Sequence, residues 1–257
     1  MSGHRPVAVV TGGRRGIGLG IARALAAGGF DIAITGTEAE TPDAAIGELK
    51  AQGGRALYFQ ADLADVARHA GAAAAIEAGL GPIDCLVNNA GIGAVLRCDF
   101  LDLTPENFDR IVDVNLRGTV FFTQAVVARM LAGVDKPGRA RSVINITSVS
   151  AAMSSPERLD YCMTKAGLSA FSQGLAVRLA ETGIAVFEVR PGIIRSDMTA
   201  KVSEKYDALI EGGLVPMKRW GEAGDIGAIV AALAKGDFGF ATGSVISADG
   251  GLSIGRL

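Results

Sequence analysis

The segment "TGGRRGIG", Thr11–Gly18, stands between a four-residue apolar run, Val7–Val10, and an Ala/Leu-rich stretch, Ile17–Ala27. A strand that runs into glycines and out into a helix leaves the chain few options. Gly12 permits a tight turn off the strand. Gly16 lets the backbone come close to a phosphate, and Gly18 lets the helix pack closely on the strand. The helix start then offers unpaired N–H groups and a partial positive charge to an anion. The spacing is Gly-x-x-x-Gly-x-Gly rather than the commoner Gly-x-Gly-x-x-Gly. By itself such a turn could be purely structural. Its position between a first strand and a first helix points to nucleotide binding.

The rest of the chain continues the alternation. Strands are expected at Asp31–Thr35, Ala56–Gln60, Ile83–Val87, Ser142–Thr147, Ala185–Val189 and Val245–Ser247. Helices are expected at Pro42–Gln52, Asp65–Glu77, Asp160–Glu181 and Glu222–Ala234. A long, bent helix begins after Thr104, a capping residue followed by Pro105, and runs to about Met130. Seven strands joined by helices predict an α/β fold of the Rossmann type. It is a doubly wound parallel sheet with helices on both faces, in a single domain over residues 1–257. One irregular interval, Pro191–Gly221, breaks the alternation and reads as a substrate-loop insertion on the ligand side of the sheet.

Several classes are disfavoured. With 25 basic and 27 acidic residues there is no broad positive field for nucleic acid. The run Gly138–Arg141 reads as a solvated loop before a strand. No apolar run suggests a membrane span. Cys85, Cys98 and Cys162 lack metal-ligand spacing and read as reduced thiols of a cytoplasmic protein. His4 and His69 have no partner pattern, and His69 reads as partly exposed, so no metal site is expected.

The second strand ends in "AITGTE". Gly36 and Thr37 occupy the turn where an acid would accept from a free ribose 2′-hydroxyl. Arg14 and Arg15 could instead pair with a 2′-phosphate. NADP(H) is therefore preferred and NAD(H) remains possible, since Glu38 either points away or opposes the arginines. Asp62 and Leu63 can line an adenine, or can be a helix cap and a core leucine. In "NNAG", Asn89, Ala90 and Gly91 can hold a loop open beside the cofactor.

Toward the nicotinamide end, Ser148 lies just past the fifth strand. Tyr161 and Lys165 are four residues apart and share one helix face. An ordinary phenol keeps its proton to about pH 10, and a neighbouring ammonium favours the phenolate. The pair therefore suits proton exchange with a carbonyl or alcohol. Asn115 is polar within an apolar helix, and its side chain or a local bend could hold a water that links Lys165 to solvent.

In this order, Thr-Gly-x-x-x-Gly-Ile-Gly, Asn-Asn-Ala-Gly, the helix asparagine, the strand-end serine, Tyr-x-x-x-Lys and "RPG" resemble a short-chain dehydrogenase/reductase over nearly the whole chain. The resemblance implies a tetrad of Asn115, Ser148, Tyr161 and Lys165. It implies cofactor contacts at Gly12, Gly13, Arg14, Arg15, Ile17, Thr37, Asp62, Leu63, Asn89, Tyr161, Lys165, Pro191, Gly192 and Ile194. Ser196 stands where Thr is usual and keeps its hydroxyl for the cofactor. "PGIIRSDMT" is most similar to the 3-oxoacyl-[acyl-carrier-protein] reductase type, which implies a carbonyl substrate, including an acyl carrier protein thioester, and a homotetramer. Arg129 and Arg178 could form a patch for an acidic carrier or be solvated charges. The charged "SSPERLD" keeps a sugar or other polar-alcohol substrate open. A nucleotide-sensing protein without turnover is the non-enzyme alternative.

Overall fold

The computed structural model describes residues 5–133, 139–196 and 203–256. Seven parallel strands form one sheet in the order β3-β2-β1-β4-β5-β6-β7. They are β1 (Val7–Val10), β2 (Asp31–Gly36), β3 (Ala56–Gln60), β4 (Ile83–Asn88), β5 (Arg141–Ile146), β6 (Ile184–Pro191) and β7 (Val245–Ala248). The helices are α1 (Gly16–Ala27), α2 (Asp43–Lys50), α3 (His69–Leu80), α4 (Pro105–Val112), α5 (Thr119–Ala132), α6 (Leu159–Leu179), α7 (Ser203–Glu211) and α8 (Ala223–Ala234). The expected single-domain Rossmann-type architecture is what forms. Strand order reverses between β1 and β4, and the crevice beyond that reversal is where open α/β sheets bind ligands.

The central strands are apolar on both faces because helices cover both. All four residues of β1 are inaccessible to solvent. On one side α1 and α8 pack with Phe30, Ile32, Ile34 and Phe187. On the other, α3, α5 and α6 pack with Leu86, Val143 and Val186. Buried Ile21, Leu25, Phe122 and Val230 each contribute about 1.5–3 kcal/mol of apolar transfer. Helices α1 and α8 meet at glycines: a Cβ on Gly20 would stand 2.6 Å from the Ala223 Cβ.

The long helix is continuous through α4 and α5, with one irregular stretch between them. Thr104 Oγ1 accepts from the Asn107 N–H at 3.3 Å, and Pro105 sits in the first turn. Between α4 and α5, Asp113–Gly118 widens into a π-turn. By length and composition Pro105–Ala132 could cross a membrane. Its Phe122, Val126, Val127 and Met130 instead lie in the core beside the sheet.

The interval after β6 contains α7, which the irregular composition did not predict. Its Ile210 packs with Val215 and Trp220 in a small separate core. The Trp220 Nε1–H donates to Asp207 Oδ1 at 2.6 Å, and the ring of Tyr206 stands edge-on to the indole. At the next helix, Glu222 and Asp225 form a reciprocal cap on α8.

Two surface expectations are corrected. His69 is 2% exposed, with its ring edge-on to Phe122 and its Nε2 3.1 Å from the Leu63 carbonyl. The run before β5 is not merely solvated: Arg139 pairs with the buried Asp84, and Arg141 donates to the Met130 carbonyl at 2.8 Å. Gly138 of that run and His4 lie outside the described residues.

Candidate active site

The glycine turn has the geometry its composition requires. Gly12 and Gly16 have φ of 64° and 54°, in the left-handed region that favours glycine. A Cβ on Gly18 would fall 2.2 Å from the Gly12 carbonyl oxygen, so only glycine fits there. One on Gly13 would strike Ile34, whereas the nearest atom to one on Gly16 is the Ser196 Cβ at 3.9 Å. The space over Gly16 is thus open toward Ser196. Helix α1 has no side-chain cap at its start and no acid in its first turn. An open, uncapped helix start over a glycine cradle fits the pyrophosphate of a dinucleotide.

Asn89 secures this cradle. Its Nδ2 donates to the Thr11 carbonyl at 2.9 Å, while Thr11 Oγ1 accepts from the Asn89 and Ala90 N–H groups at 3.0 Å each. Ile17 packs against the core. Pro191 ends β6, and the Gly192 N–H donates to the Ala248 carbonyl at 3.0 Å. The Ile194 side chain is buried in the core and its backbone bridges Gly221, so only its main chain is suited to face a ligand. Asp197–Thr199 lie outside the described residues.

At the adenosine end, Glu38 does not point away. It pairs with Arg14, which crosses Gly36 and lies with Cζ 5.7 Å from the Tyr58 ring centroid. The Glu38 carboxyl is held below the usual carboxylate range by its own backbone N–H and by Arg14. Thr37 Oγ1 also donates to Glu38, at 3.3 Å. Asp62 Oδ1 accepts from the Ala64 N–H at 2.9 Å, closing a turn that presents Leu63. The Leu63 carbonyl is clasped between His69 and Gly118, where a Cβ would come within 2.2 Å of it. Sequence reasoning missed this bracing role of His69. A helix in which six of twelve residues are alanine has no contrasting face to reveal it.

Ser148, Tyr161, Lys165 and Asn115 gather at the carboxyl edge of β4 and β5. Ser148 Oγ accepts from the Ser150 N–H at 3.1 Å, which leaves its own O–H to donate outward. The turn that follows Ser148 packs along α6. Lys165 Nζ donates to the Ile146 carbonyl at 3.2 Å and lies 5.7 Å from the Tyr161 ring centroid. The lysine is 5% exposed and, among the described residues, donates one hydrogen bond, to Ile146, so donors remain for the hydroxyls of a bound ribose. A Cβ on Gly91 would meet Asn115 Oδ1 at 3.1 Å and Lys165 Nζ at 3.7 Å, which sets Gly91 between them.

Beneath the site runs a buried network that spacing alone did not suggest. Glu188, 1% exposed, accepts from Thr147 Oγ1 at 2.6 Å, Ser169 Oγ at 2.8 Å and Arg190 Nε at 2.7 Å. The proposed carrier patch does not assemble in this way, since Arg129 pairs with Glu77 while Arg178 is exposed at the end of α6.

A parallel sheet with this cradle and this phenol–lysine pair defines a dinucleotide-dependent oxidoreductase acting on a carbonyl or alcohol group. The short chain dehydrogenase model matches residues 6–207. The chain belongs to the short-chain dehydrogenase/reductase family. It is 35% identical over 250 residues to a 3-oxoacyl-[acyl-carrier-protein] reductase of Staphylococcus epidermidis, covering 95% of this chain and 98% of that one. Among solved structures, a 3-oxoacyl-[acyl-carrier protein] reductase from Brucella melitensis in complex with NAD is 68% identical, with a TM-score of 0.96 and full coverage of both chains. An Agrobacterium tumefaciens structure with bound NADP is 29% identical, with a TM-score of 0.84 and 96% coverage of each chain.

Proposed function

We propose that the protein is an NAD(P)(H)-dependent carbonyl reductase of the 3-oxoacyl type, working in reverse as an alcohol dehydrogenase. The observation that carries this is the meeting of Ser148, Tyr161, Lys165 and Asn115 at one strand edge beside the glycine cradle. Tyr161 donates a proton to the carbonyl oxygen, and Ser148 holds that oxygen through its free O–H. Lys165 favours the phenolate that results and binds the ribose. Asn115 serves the path by which the proton is replaced. When bound, the reduced nicotinamide supplies hydride to the carbonyl carbon.

Gly12, Gly13, Gly16 and Gly18 would hold the phosphates, with Ile17 and Ser196 at the rim. Asp62 and Leu63 would take the adenine, and Asn89, Ala90, Gly91, Pro191, Gly192 and Ile194 would border the nicotinamide. Arg14 and Arg15, with Thr37, favour NADP(H). Glu38 opposes this by engaging Arg14, so NAD(H) is used as well. The interval 191–221 with α7 is the substrate loop. The acyl carrier thioester follows the names of relatives such as the 3-oxoacyl-[acyl-carrier-protein] reductases, the homotetramer follows by analogy with the family, and the cytoplasmic setting follows from the three free cysteines. Exposed Val177 and Phe240 offer apolar surface for subunit contacts. The charged turn before α6 favours a second reading, a dehydrogenase of a sugar or another polar alcohol.

Oxidation of NADPH and of NADH with acetoacetyl thioesters, simple ketones and sugars tests the reading. Turnover that is abolished in Tyr161→Phe, with dinucleotide binding retained, is expected. Dinucleotide binding without turnover across the panel would favour a nucleotide sensor.

A further inference from the structure

The turn before α6 carries a cation that this chemistry does not use. The Arg158 N–H donates to the Ser155 carbonyl at 2.9 Å, and its Nε donates to Ser155 Oγ at 3.3 Å. These contacts set the guanidinium beside the Tyr161 ring, with Cζ 5.4 Å from the centroid. Two cations therefore border one phenol. Lys165 is the buried one, tied to the Ile146 carbonyl. Arg158 is half-buried and retains access to solvent.

Among the described residues no carboxylate pairs with Arg158. Acids are near enough in sequence to have done so. Asp160 is two positions on, yet its Oδ1 accepts from the Tyr161 N–H at 2.7 Å, and its buried Oδ2 has no hydrogen-bond partner. Glu157 adjoins Arg158 and is exposed. By contrast Arg14, Arg129, Arg139, Arg190 and Arg219 all engage carboxylates. With Nε committed to Ser155, the two Nη groups of Arg158 are left for an outside acceptor. A guanidinium edge matches a planar carboxylate.

We propose that Arg158 receives the carboxylate of an anionic substrate, a short oxo acid or the corresponding hydroxy acid, while Tyr161 handles the reacting oxygen. This rests on the carbonyl-reductase reading but not on its thioester substrate, because a thioester has no free carboxylate: it names a free oxo acid in its place. The carboxylate is a spectator: hydride and proton add across the carbonyl, and no other bond changes. A neutral substrate of the same length lacks the group that Arg158 binds.

Steady-state kinetics with acetoacetate and methyl acetoacetate, using wild type, Arg158→Gln and Arg158→Lys, test the proposal. Wild type should favour acetoacetate. Arg158→Gln should lower kcat/KM for acetoacetate about tenfold or more, mainly through KM, and affect the ester much less. Arg158→Lys should recover part of the loss. Equal losses for acid and ester, or a shifted pH profile with both, would overturn the proposal, because the guanidinium would then be acting on the phenol. Turnover of neutral ketones alone would also overturn it while leaving the reductase reading intact. Absence of all turnover would instead strike at the reductase reading. In that case calorimetry of acetoacetate binding to the dinucleotide-loaded protein decides: binding lost in Arg158→Gln supports the proposal, and equal or absent binding in both proteins overturns it.

Discussion

Asn115 grips the backbone of Ile92 from both sides: its Oδ1 accepts from the Ile92 N–H, and its Nδ2 donates to the Ile92 carbonyl, each at 2.8 Å. The sequence reading left open whether the side chain or a local bend would hold a water. The side chain is engaged with Ile92, and it sits within the π-turn Asp113–Gly118. Asn115→Leu would leave both Ile92 groups unmatched, a cost of about 1–3 kcal/mol. Thermal denaturation should show the lower Tm, and kcat should fall with it.

Glu188 joins two elements of the site. One oxygen takes Thr147, the neighbour of Ser148, and the other takes Ser169, one helical turn beyond Lys165. In its pair with Arg190, Glu188 is 1% exposed and the arginine 19%. Glu188→Ala should destabilise the fold by about 1–3 kcal/mol, because the buried Thr147 and Ser169 hydroxyls lose their acceptor and the part-buried guanidinium its counter-charge. Urea titration checks the stability. In Glu188→Gln, which retains one acceptor, both the stability and the kcat loss should be smaller.

Arg14 is paired with Glu38. Under the proposed use of both dinucleotides, a 2′-phosphate would compete with Glu38 for that guanidinium. Glu38→Gln frees Arg14 and should shift the NADP(H)-to-NAD(H) ratio of kcat/KM toward NADP(H) by about tenfold. Arg14→Ala should shift it the other way. Fluorescence titration of both dinucleotides would show the same directions in binding.

His69 makes the Asp62–Leu63 turn sensitive to acid. Burial pushes its imidazole below the ordinary value, against the opposing pull of the Leu63 and Asp62 backbone groups. A group depressed in the folded state contributes stability that is present above the unfolded value, about 6.5, and is lost as pH falls through the folded value. The urea midpoint should therefore hold above pH 7 and decline below pH 6. His69→Phe keeps the ring packing on Phe122 and should weaken that decline, although it loses the Leu63 contact.

The parts of this molecule that were legible beforehand are those in which residue type alone limits geometry. A left-handed turn needs glycine, so Gly12 and Gly16 announced themselves. A four-residue spacing places Tyr161 and Lys165 on one face whatever surrounds them. The hidden parts depend on partners brought together by folding. Thr147, Ser169 and Glu188 come from three separate elements, and no local pattern links them. Helix α7 has too few apolar residues to show a period, and its docking depends on Val215 and Trp220 beyond its end. Arg139 looked like a loop charge because Asp84, its partner, lies on another strand.

The indole of Trp220 is the chain's single tryptophan, and it is enclosed by the residues that seat α7. The protein thus carries a built-in optical reporter. Its emission has one source, so a spectral change on adding substrate analogues reads out the packing of that helix without any label.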